Sequence, residues 1–374
     1  MFFNNDIYTF EDARRLAKKR LPAMIFDYID GAAGTGFGEQ INKQAIKGLR
    51  LMPRVLNNVE HRDLTVNLFG KSAQLPFGIS PMGMCNLVGP GADAAYAALA
   101  SEYDIPIGVS TAASTSLEKM FELSGGNAWF QLYFSGNEGS SNQLIERAKN
   151  AGYTNLIVTV DVPEVGRRPR ELRRGFKMPF KMGPQQVLDF ALHPYWSFST
   201  LSGGKPELAN FGGEFGEFSR TSSRAGADWG LLGKIRDSWE GNLIVKGVLN
   251  AEDAIKMKGM GVDAIQVSSH GGRQLDSAPP PILALKNIRS SVGNDYPLFY
   301  DSGVTSGEDI VKAYAMGANF VFLGRSFAYG FAAKGKKGVI QITETLAAEV
   351  SITLAQLGLS EMALINQDVL WQDS

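Results

Sequence analysis

The sequence predicts an α/β fold and, more narrowly, a (β/α)8 barrel of the TIM type. Eight short segments are nearly all apolar, as the strands of a parallel sheet buried on both faces must be. A segment with helical periodicity follows most of them, so the chain consists of repeated βα units. In three repeats a glycine (Gly152, Gly261 or Gly317) stands where it can end the helix before the next strand. Eight such units are the number that closes this barrel.

The predicted elements follow one another in a simple order within one domain. Residues 1–74 form an N-terminal helical segment, whose helices over 9–30 are interrupted at Leu21 and Pro22. Residues 75–357 form the barrel and 358–374 a tail, and the basic residues 335–338 are expected in a loop. The predicted strands span 75–81, 105–111, 128–134, 155–161, 242–247, 263–268, 297–301 and 319–324. The predicted helices between them span 92–103, 116–123, 143–150, 251–260, 281–292 and 307–316.

One connection is much longer than the others. The fourth strand begins at residue 155 and the fifth at 242, about 87 residues later, which predicts an insertion at about 166–227. A loop of that length is usually an active-site cover or an interaction surface. It begins with basic residues over 167–181 and continues with the apolar stretches VLDFAL (187–192) and YWSF (195–198). Such a pattern suits peripheral contact with a membrane surface. Alternatively, the apolar stretch packs over the barrel mouth as a lid.

Composition narrows the class of protein. The chain has 374 residues, with 37 basic and 38 acidic side chains and a pI near 6.4. This balance argues against a nucleic-acid-binding protein. The single cysteine, Cys85, excludes an internal disulfide and a multi-cysteine metal site, and we expect no bound metal. We identify neither a signal peptide nor a transmembrane segment, and therefore expect a cytoplasmic protein.

Polar side chains gather at the predicted strand ends, where such a barrel carries its active site. The residues at these ends are Pro81, Met82, Gly83, Ser110, Thr111, Gln131, Tyr133, Thr159, Asp161, Lys246, Ser268, Ser269, His270, Arg273, Asp301, Ser302, Gly303, Gly324 and Arg325. The last two strands end in DSG and GR, the position at which barrels commonly bind phosphate through backbone N–H groups. We therefore expect a phosphate group there, with Arg325 supplying charge.

His270 is the candidate catalytic base. The other two histidines, His61 and His193, lie outside the predicted strands, whereas His270 follows a strand and precedes Arg273 by three residues. An imidazole that titrates near neutral pH, beside a guanidinium that can hold a carboxylate, suits a reaction on a carboxylate-bearing substrate. Asp161, on another strand, could orient the imidazole and stabilise its protonated form.

Several motifs together resemble the FMN-dependent α-hydroxy acid oxidases and dehydrogenases, which include glycolate oxidase, lactate oxidase, mandelate dehydrogenase and the flavin-type lactate dehydrogenases. SHGGRQLD at 269–276 is similar to the family's signature. The segments LPAMIFDYIDGAA, WFQLY, TVDVPEVGRR, IVKG, DSGVTSG and FLGRSFAYG also match, in the family's order along nearly the whole chain. The resemblance implies an FMN-binding TIM barrel that oxidises an L-2-hydroxy acid to the 2-oxo acid. It further implies reoxidation of the flavin by oxygen or a quinone, and a homotetramer.

The resemblance also implies a role for each site residue. His270 would be the base, paired with Asp161, and Tyr133 would hydrogen-bond the substrate hydroxyl. Lys246 would lie beside N1 and O2 of the flavin and stabilise the anionic reduced ring. The substrate carboxylate would bind Arg168 and Arg273, assisted by Tyr28. The flavin would contact Pro81, Met82, Gly83, Ser110, Gln131, Thr159 and Ser268, and its ribityl phosphate chain Asp301, Gly303, Gly324 and Arg325.

Four positions add finer expectations. Ser269 replaces the family's usual Asn before the histidine, and Thr305 replaces an Arg of the phosphate loop, which should weaken FMN binding. Ala112 stands where glycolate oxidases carry Trp, so that Gly83 and Ala112 together leave space above the flavin. Aromatic or long-chain acids should therefore be better substrates than glycolate. Gly83 also matches mandelate dehydrogenase and bacterial lactate dehydrogenase, whereas the oxidases carry Ala, and this favours slow reaction with oxygen.

Two alternatives belong to other classes. A phosphate-substrate aldolase or isomerase of the same architecture could use Lys246 as a Schiff base, which would leave Arg168, Arg273 and His270 without a task. A non-enzymatic flavin-binding protein would not need a base together with a carboxylate-binding pair. A yellow protein that bleaches when a hydroxy acid is added without oxygen would distinguish the FMN-dependent enzyme from both alternatives.

Overall fold

The computed structural model describes residues 6–134, 138–176, 183–204, 206–211 and 223–371. At its centre, eight parallel strands pair in chain order and close into a barrel, because the last strand pairs with the first. Two short strands, β1 (Val66–Leu68) and β2 (Lys71–Ala73), precede the barrel as an antiparallel hairpin. The barrel strands are β3 (Phe77–Met82), β4 (Ile107–Ser110), β5 (Ala128–Tyr133), β6 (Asn155–Thr159), β7 (Asn242–Val248), β8 (Ala264–Val267), β9 (Leu298–Tyr300) and β10 (Phe320–Leu323).

Helices surround this barrel and precede it. The N-terminal helices are α1 (Phe10–Arg20), α2 (Ala23–Asp30) and α3 (Phe37–Gly48). Those between β3 and β6 are α4 (Ala92–Glu102), α5 (Leu117–Leu123) and α6 (Glu138–Ala151). The long fourth connection contains α7 (Pro169–Arg173), α8 (Pro184–Ala191), α9 (Pro194–Gly203) and α10 (Trp229–Ser238). The remaining helices are α11 (Ala251–Gly259), α12 (Pro281–Val292), α13 (Gly307–Ala315), α14 (Arg325–Lys334) and α15 (Lys336–Gln356).

The hairpin turn closes the end of the barrel at which the strands begin. Phe69, in the turn between β1 and β2, packs against Trp129 and Phe299, with ring centroids 5.9 and 5.8 Å apart. Phe322 adds a fourth ring, 5.6 Å from Trp129. This aromatic cluster fills the barrel interior near the strand N-termini, as side-chain layers do in such barrels. A functional site is therefore expected at the opposite end of the barrel, where the strands finish.

The N-terminal helices and the insertion are attached to that opposite end. The Asp30 carboxylate, at the end of α2, accepts hydrogen bonds from Tyr329 Oη at 2.7 Å and from Arg14 at 2.6 and 3.0 Å. In the insertion, the Asp189 carboxylate accepts the backbone N–H of Ala23 at 3.1 Å and so caps the start of α2. Trp196 is buried and donates its indole N–H to the carbonyl of Leu87 at 2.8 Å.

The predicted α/β barrel, with its N-terminal helices and its insertion after the fourth strand, is confirmed. Each predicted strand coincides with a barrel strand, and every boundary agrees to within two residues. Gly152, Gly261 and Gly317 have positive φ angles of 97°, 77° and 103°, as the helix-ending interpretation requires. The 1–74 segment is not purely helical, since it also contains β1 and β2. These strands are too short to show the alternating pattern from which a strand is predicted. The predicted loop at 335–338 is wrong, since α15 begins at Lys336.

Candidate active site

The segment after β8 carries His270 into the open end of the barrel. His270 has a φ of 56°, which is uncommon for a residue other than glycine. Two hydroxyls hold this conformation: Ser268 Oγ accepts the N–H of His270 at 3.0 Å, and Ser302 Oγ accepts that of Gly271 at 3.0 Å. Strained backbone maintained by a local network is typical of functional sites. The network fixes the position of the imidazole.

The imidazole lies between Asp161, its predicted partner, and Tyr133, which is predicted to hydrogen-bond the substrate hydroxyl. Its Nδ1 is 3.0 Å from Asp161 Oδ1, and its Nε2 is 3.4 Å from Tyr133 Oη. Gly247 permits this arrangement, because a Cβ there would lie 2.5 Å from the side chain of Asp161. Since a carboxylate can only accept, the Nδ1–H donates to Asp161 and the lone pair of Nε2 faces Tyr133.

The two titratable groups favour a neutral imidazole beside an anionic carboxylate. Burial, reinforced by the nearby Lys246 charge, lowers the pKa of His270 below 6.5 even though Asp161 opposes the shift. Burial by itself would raise the pKa of Asp161, but His270 and Lys246 outweigh it and leave that pKa below 3.8. At neutral pH His270 is therefore unprotonated and able to accept a proton, and Asp161 can stabilise the imidazolium that results.

Lys246 is held as a cation among strand-end side chains. Its Nζ is 3.0 Å from Ser268 Oγ and 3.4 Å from Asp301 Oδ2, while Ser268 Oγ donates to Asp301 Oδ1 at 2.6 Å. Burial would lower the pKa of Lys246, but Asp301, Asp161 and Tyr133 together raise it above 10.5. A Schiff base requires a neutral amine, so these contacts argue against the aldolase alternative.

Arg168 and Arg273 form a cationic pair around one buried carboxylate, that of Glu171. Glu171 Oε1 accepts Arg168 Nη1 at 3.4 Å and Arg273 Nη2 at 3.1 Å. Arg273 Nη1 also donates to the carbonyls of Tyr28 and Gly31, both at 2.8 Å. Burial, with the repulsion of Arg168, lowers the pKa of Arg273 to about 9 despite Glu171. Two guanidinium groups thus lie close together beside His270, and such a pair suits a substrate carboxylate.

The positions assigned to the flavin ring come together on the same rim. Gln131 Nε2 donates to Thr159 Oγ1 at 2.9 Å, and a Cβ at Gly83 would lie 3.3 Å from that of Ala112. Tyr28 Oη donates to the carbonyl of Gly83 at 3.2 Å. Pro81, Met82 and Ser110 end the neighbouring strands β3 and β4. The predicted residues therefore stand at or just after the ends of four adjacent strands, β3 to β6.

The end assigned to the phosphate departs from the sequence expectation in its details. Arg325 donates to the carbonyls of Ile29, Gly271 and Gly31 at 3.2, 3.0 and 3.0 Å. The N–H and hydroxyl of Thr305 both donate to Asp309, at 2.9 and 2.8 Å. Thus Arg325 joins two loops here, and Thr305 is held by Asp309 in the first turn of α13, whose N-cap is Ser306. Asp301 and Gly303 follow β9, and Gly324 follows the neighbouring strand β10.

The residues present nevertheless fit FMN. Ser326, in the first turn of α14, has a buried Oγ that bonds to no atom of the described chain. A hydroxyl of this kind, together with the N–H groups that begin α14, suits a phosphate. The Lys246 ammonium suits the electron-rich pyrimidine edge of a flavin. The donor set thus matches the two polar ends of the cofactor.

Sequence reasoning missed several residues that hold this site together. Glu171 joins the two arginines, and Gln274 Nε2 donates to the carbonyl of Asp161 at 2.9 Å. Asn42 Nδ2, from α3, donates to Ser269 Oγ at 2.8 Å, which shows what the shorter serine contacts. Of these, only Gln274 lies within a recognised motif. The only sequence signal that could have indicated a role for Glu171 was its position three residues after Arg168.

Fold and site together define a class. The rim of this barrel carries a base paired with a carboxylate, two clustered arginines, a fixed ammonium and a loop suited to phosphate. These groups match a flavin enzyme that acts on hydroxy acids. The family model described as "FMN-dependent dehydrogenase" matches residues 17–372, and the chain belongs to this family.

Solved and curated relatives agree with the assignment. The chain is 37% identical to (S)-mandelate dehydrogenase of Pseudomonas putida, over 98% of this chain and 94% of that protein. It is 34% identical to L-lactate dehydrogenase of Pseudomonas syringae pv. syringae, over 96% and 97%. A crystal structure of "monotopic membrane protein (S)-mandelate dehydrogenase" superposes with a TM-score of 0.92 at 37% identity, covering 98% of this chain and 100% of that one.

The chain is therefore an FMN-dependent (S)-2-hydroxy acid dehydrogenase, which oxidises L-2-hydroxy acids to 2-oxo acids. The aldolase alternative and the non-enzymatic alternative are both wrong. Over the described ranges, no helix combines the length and apolar character needed to cross a membrane.

Proposed function

We propose that the enzyme acts on L-2-hydroxy acids with aromatic or long side chains, mandelate being the model substrate. The small residues Gly83 and Ala112 carry this proposal, because they lie against each other at the rim beside Tyr28 and place no large side chain there. Tyr28 stacks on Phe176 with ring centroids 4.6 Å apart and planes at 10°, which provides an aromatic wall. The similarity to a mandelate dehydrogenase supports the same substrate class.

The proposed roles follow from the contacts. FMN, when bound, accepts the two electrons that the substrate loses as its alcohol becomes a carbonyl. Arg168 and Arg273 hold the substrate carboxylate, with Tyr28 beside them, and so orient the hydroxyl-bearing carbon. Tyr133 hydrogen-bonds the hydroxyl, and His270 Nε2 takes one of the two protons that the alcohol loses on oxidation.

Asp161 stabilises the imidazolium that His270 becomes, and Lys246 supplies positive charge for the cofactor. Pro81, Met82, Ser110, Gln131, Thr159, Ser268, Asp301, Gly303, Gly324 and Arg325 stay as proposed flavin contacts. Within the described chain, three of the five N–H donors of Arg325 bond to carbonyls, which leaves two that can donate to a phosphate.

A substrate panel tests the proposed specificity. We expect kcat/KM for (S)-mandelate and long-chain L-2-hydroxy acids to exceed that for glycolate, because larger side chains fill the space at Gly83 and Ala112. The (R) enantiomer of mandelate is the control for productive orientation. A preference for glycolate would refute this interpretation of the pocket.

We further propose that a membrane quinone, rather than oxygen, reoxidises the enzyme. Helices α8 and α9 and the turn between them carry six large apolar side chains that are 54 to 80% exposed: Val187, Leu188, Leu192, Tyr195, Phe198 and Leu201. Phe190 and Trp196 pack together instead, with ring centroids 5.0 Å apart, and anchor the pair of helices. We call the six exposed residues the apolar face. An apolar face beside basic residues suits peripheral membrane binding, and the monotopic relative supports it.

Two measurements test this proposal. In stopped-flow experiments, the reduced enzyme should be reoxidised by a soluble quinone much faster than by oxygen. Leu188→Ser combined with Phe198→Ser should abolish sedimentation with vesicles. The control, Ile352→Ser, removes an apolar side chain that is 56% exposed on α15. Rapid reoxidation by oxygen without vesicle binding would refute the proposal. Lys177 and Lys181 of the predicted basic segment lie outside the described residues.

The homotetramer and the cytoplasmic location stay predictions that rest on the resemblance and on the sequence. We propose a tetramer attached to the cytoplasmic surface of the membrane. Light scattering of the detergent-solubilised enzyme should give four times the chain mass of 40.5 kDa. A monomeric mass would refute the tetramer.

A further inference from the structure

A basic cavity lies outside the active site, where α1, α2 and α7 meet the junction of α8 and α9. Its volume is about 590 Å³. Leu21, Ala23 and Phe26 supply apolar wall, while the charged lining consists of Lys18, Asp27, Arg170, Arg173 and Arg174. The lining thus contains four cations and one carboxylate. The catalytic residues described above do not line it.

The cations in this cavity are partly fixed by acidic side chains. Asp27 Oδ2 accepts Arg174 Nε at 2.9 Å, and Asp27 Oδ1 accepts Arg170 Nε at 2.9 Å. Arg170 Nη1 also donates to Asp30 Oδ2 at 2.5 Å. Lys18 and Arg173 are exposed at the edge. Guanidinium and ammonium groups arranged around a concave surface suit a phosphate group, which accepts several charge-assisted hydrogen bonds.

The cavity adjoins the apolar face. His193, which also lines it, stands between Leu192 and Tyr195, two residues of that face with 69% and 66% exposure. The guanidinium of Arg20 lies 3.9 Å from the ring centroid of Tyr195 and links the face to α1. A phosphate in the cavity would therefore sit at the boundary between a charged and an apolar surface, as the headgroup of a membrane lipid does.

We propose that this cavity binds the phosphate of an anionic phospholipid, whose acyl chains lie in the bilayer against the apolar face. The proposal rests on the membrane contact proposed above and adds a headgroup preference to it. Basic residues near an anionic surface each strengthen binding by about five-fold. Removal of two should thus weaken binding to anionic vesicles by about 30-fold, and leave binding through the apolar face in place.

The test uses the FMN-loaded enzyme and sedimentation with two vesicle compositions. One is phosphatidylcholine alone, and the other is phosphatidylcholine mixed with phosphatidylglycerol, both at physiological ionic strength. The variant combines Lys18→Gln with Arg173→Gln, two exposed side chains whose loss should not disturb folding. The control combines Lys47→Gln with Lys286→Gln, which removes the same charge from exposed positions on α3 and α12.

We expect wild type and control to prefer the phosphatidylglycerol vesicles, and the Lys18/Arg173 variant to lose that preference. Its activity with a soluble acceptor should stay unchanged. Equal binding of variant and wild type to anionic vesicles would overturn the proposal. The proposal would also be overturned if inorganic phosphate at low millimolar concentration competed with binding to the anionic vesicles, because the cavity would then be a site for free phosphate. Wild-type binding without headgroup preference refutes only this inference, whereas no binding to either vesicle refutes the membrane contact itself.

Discussion

Asp161→Asn isolates the electrostatic contribution of the carboxylate beside His270. The substitution keeps the shape of the side chain and an oxygen that can accept the imidazole N–H, but removes its negative charge. In the structure that oxygen is 3.0 Å from His270 Nδ1. Two unit charges at such a separation attract by about 5 kcal/mol at an effective dielectric constant of about 20. With the proton about half transferred, the lost stabilisation is about 2–3 kcal/mol, or on the order of 10²-fold in rate.

The assay is anaerobic stopped-flow measurement of flavin bleaching by saturating substrate. We expect the limiting rate of reduction to fall on the order of 10²-fold, while FMN content and substrate Kd change little, because the arginines that hold the carboxylate are untouched. The pKa of His270 should also fall, since Asp161 raises it. A rate close to that of wild type, or an effect confined to substrate Kd, would refute the electrostatic role.

Three further predictions follow from the site. Because burial lowers the pKa of His270 below 6.5, kcat/KM should be constant between pH 7 and 8 and decline as pH falls through that pKa; a break above pH 7 would contradict this. Ala112→Trp should shift the mandelate-to-glycolate ratio of kcat/KM towards glycolate by at least ~10-fold, and an unchanged ratio would show that residue 112 does not shape the pocket. Glu171→Gln should raise KM more than it lowers kcat, because the arginine pair loses its common partner, and Glu171→Asp should restore part of the loss; a lower kcat with unchanged KM in both variants would argue for loss of folded enzyme instead.

The barrel and its rim were predictable from sequence for a physical reason. Strands buried on both faces are apolar throughout, so they stand out from amphipathic helices without any knowledge of their partners. Parallel strands also place their carboxyl ends on one edge, which brings residues as distant as Tyr133 and His270 together once the order is known. The pairing of His270 with Asp161 follows from the same topology.

Contacts that depend on how the insertion folds back were not predictable. Glu171 reaches Arg273, about a hundred residues away, only because α7 packs beside the segment after β8. Phe69 closes the barrel from a hairpin whose strands have three residues each. The basic cavity likewise combines Lys18 of α1 with Arg173 of α7. Nothing in the local pattern at these positions indicates which distant residue each one meets.

The reduction rate of a His270→Ala holoenzyme tests the proposed catalytic base most directly. The variant should purify yellow, because His270 is not among the residues proposed to hold FMN. Anaerobic mixing with (S)-mandelate should then bleach the flavin on the order of 10²–10⁴ times more slowly than in wild type, the contribution of a positioned base. Bleaching at the wild-type rate would remove His270 from the mechanism.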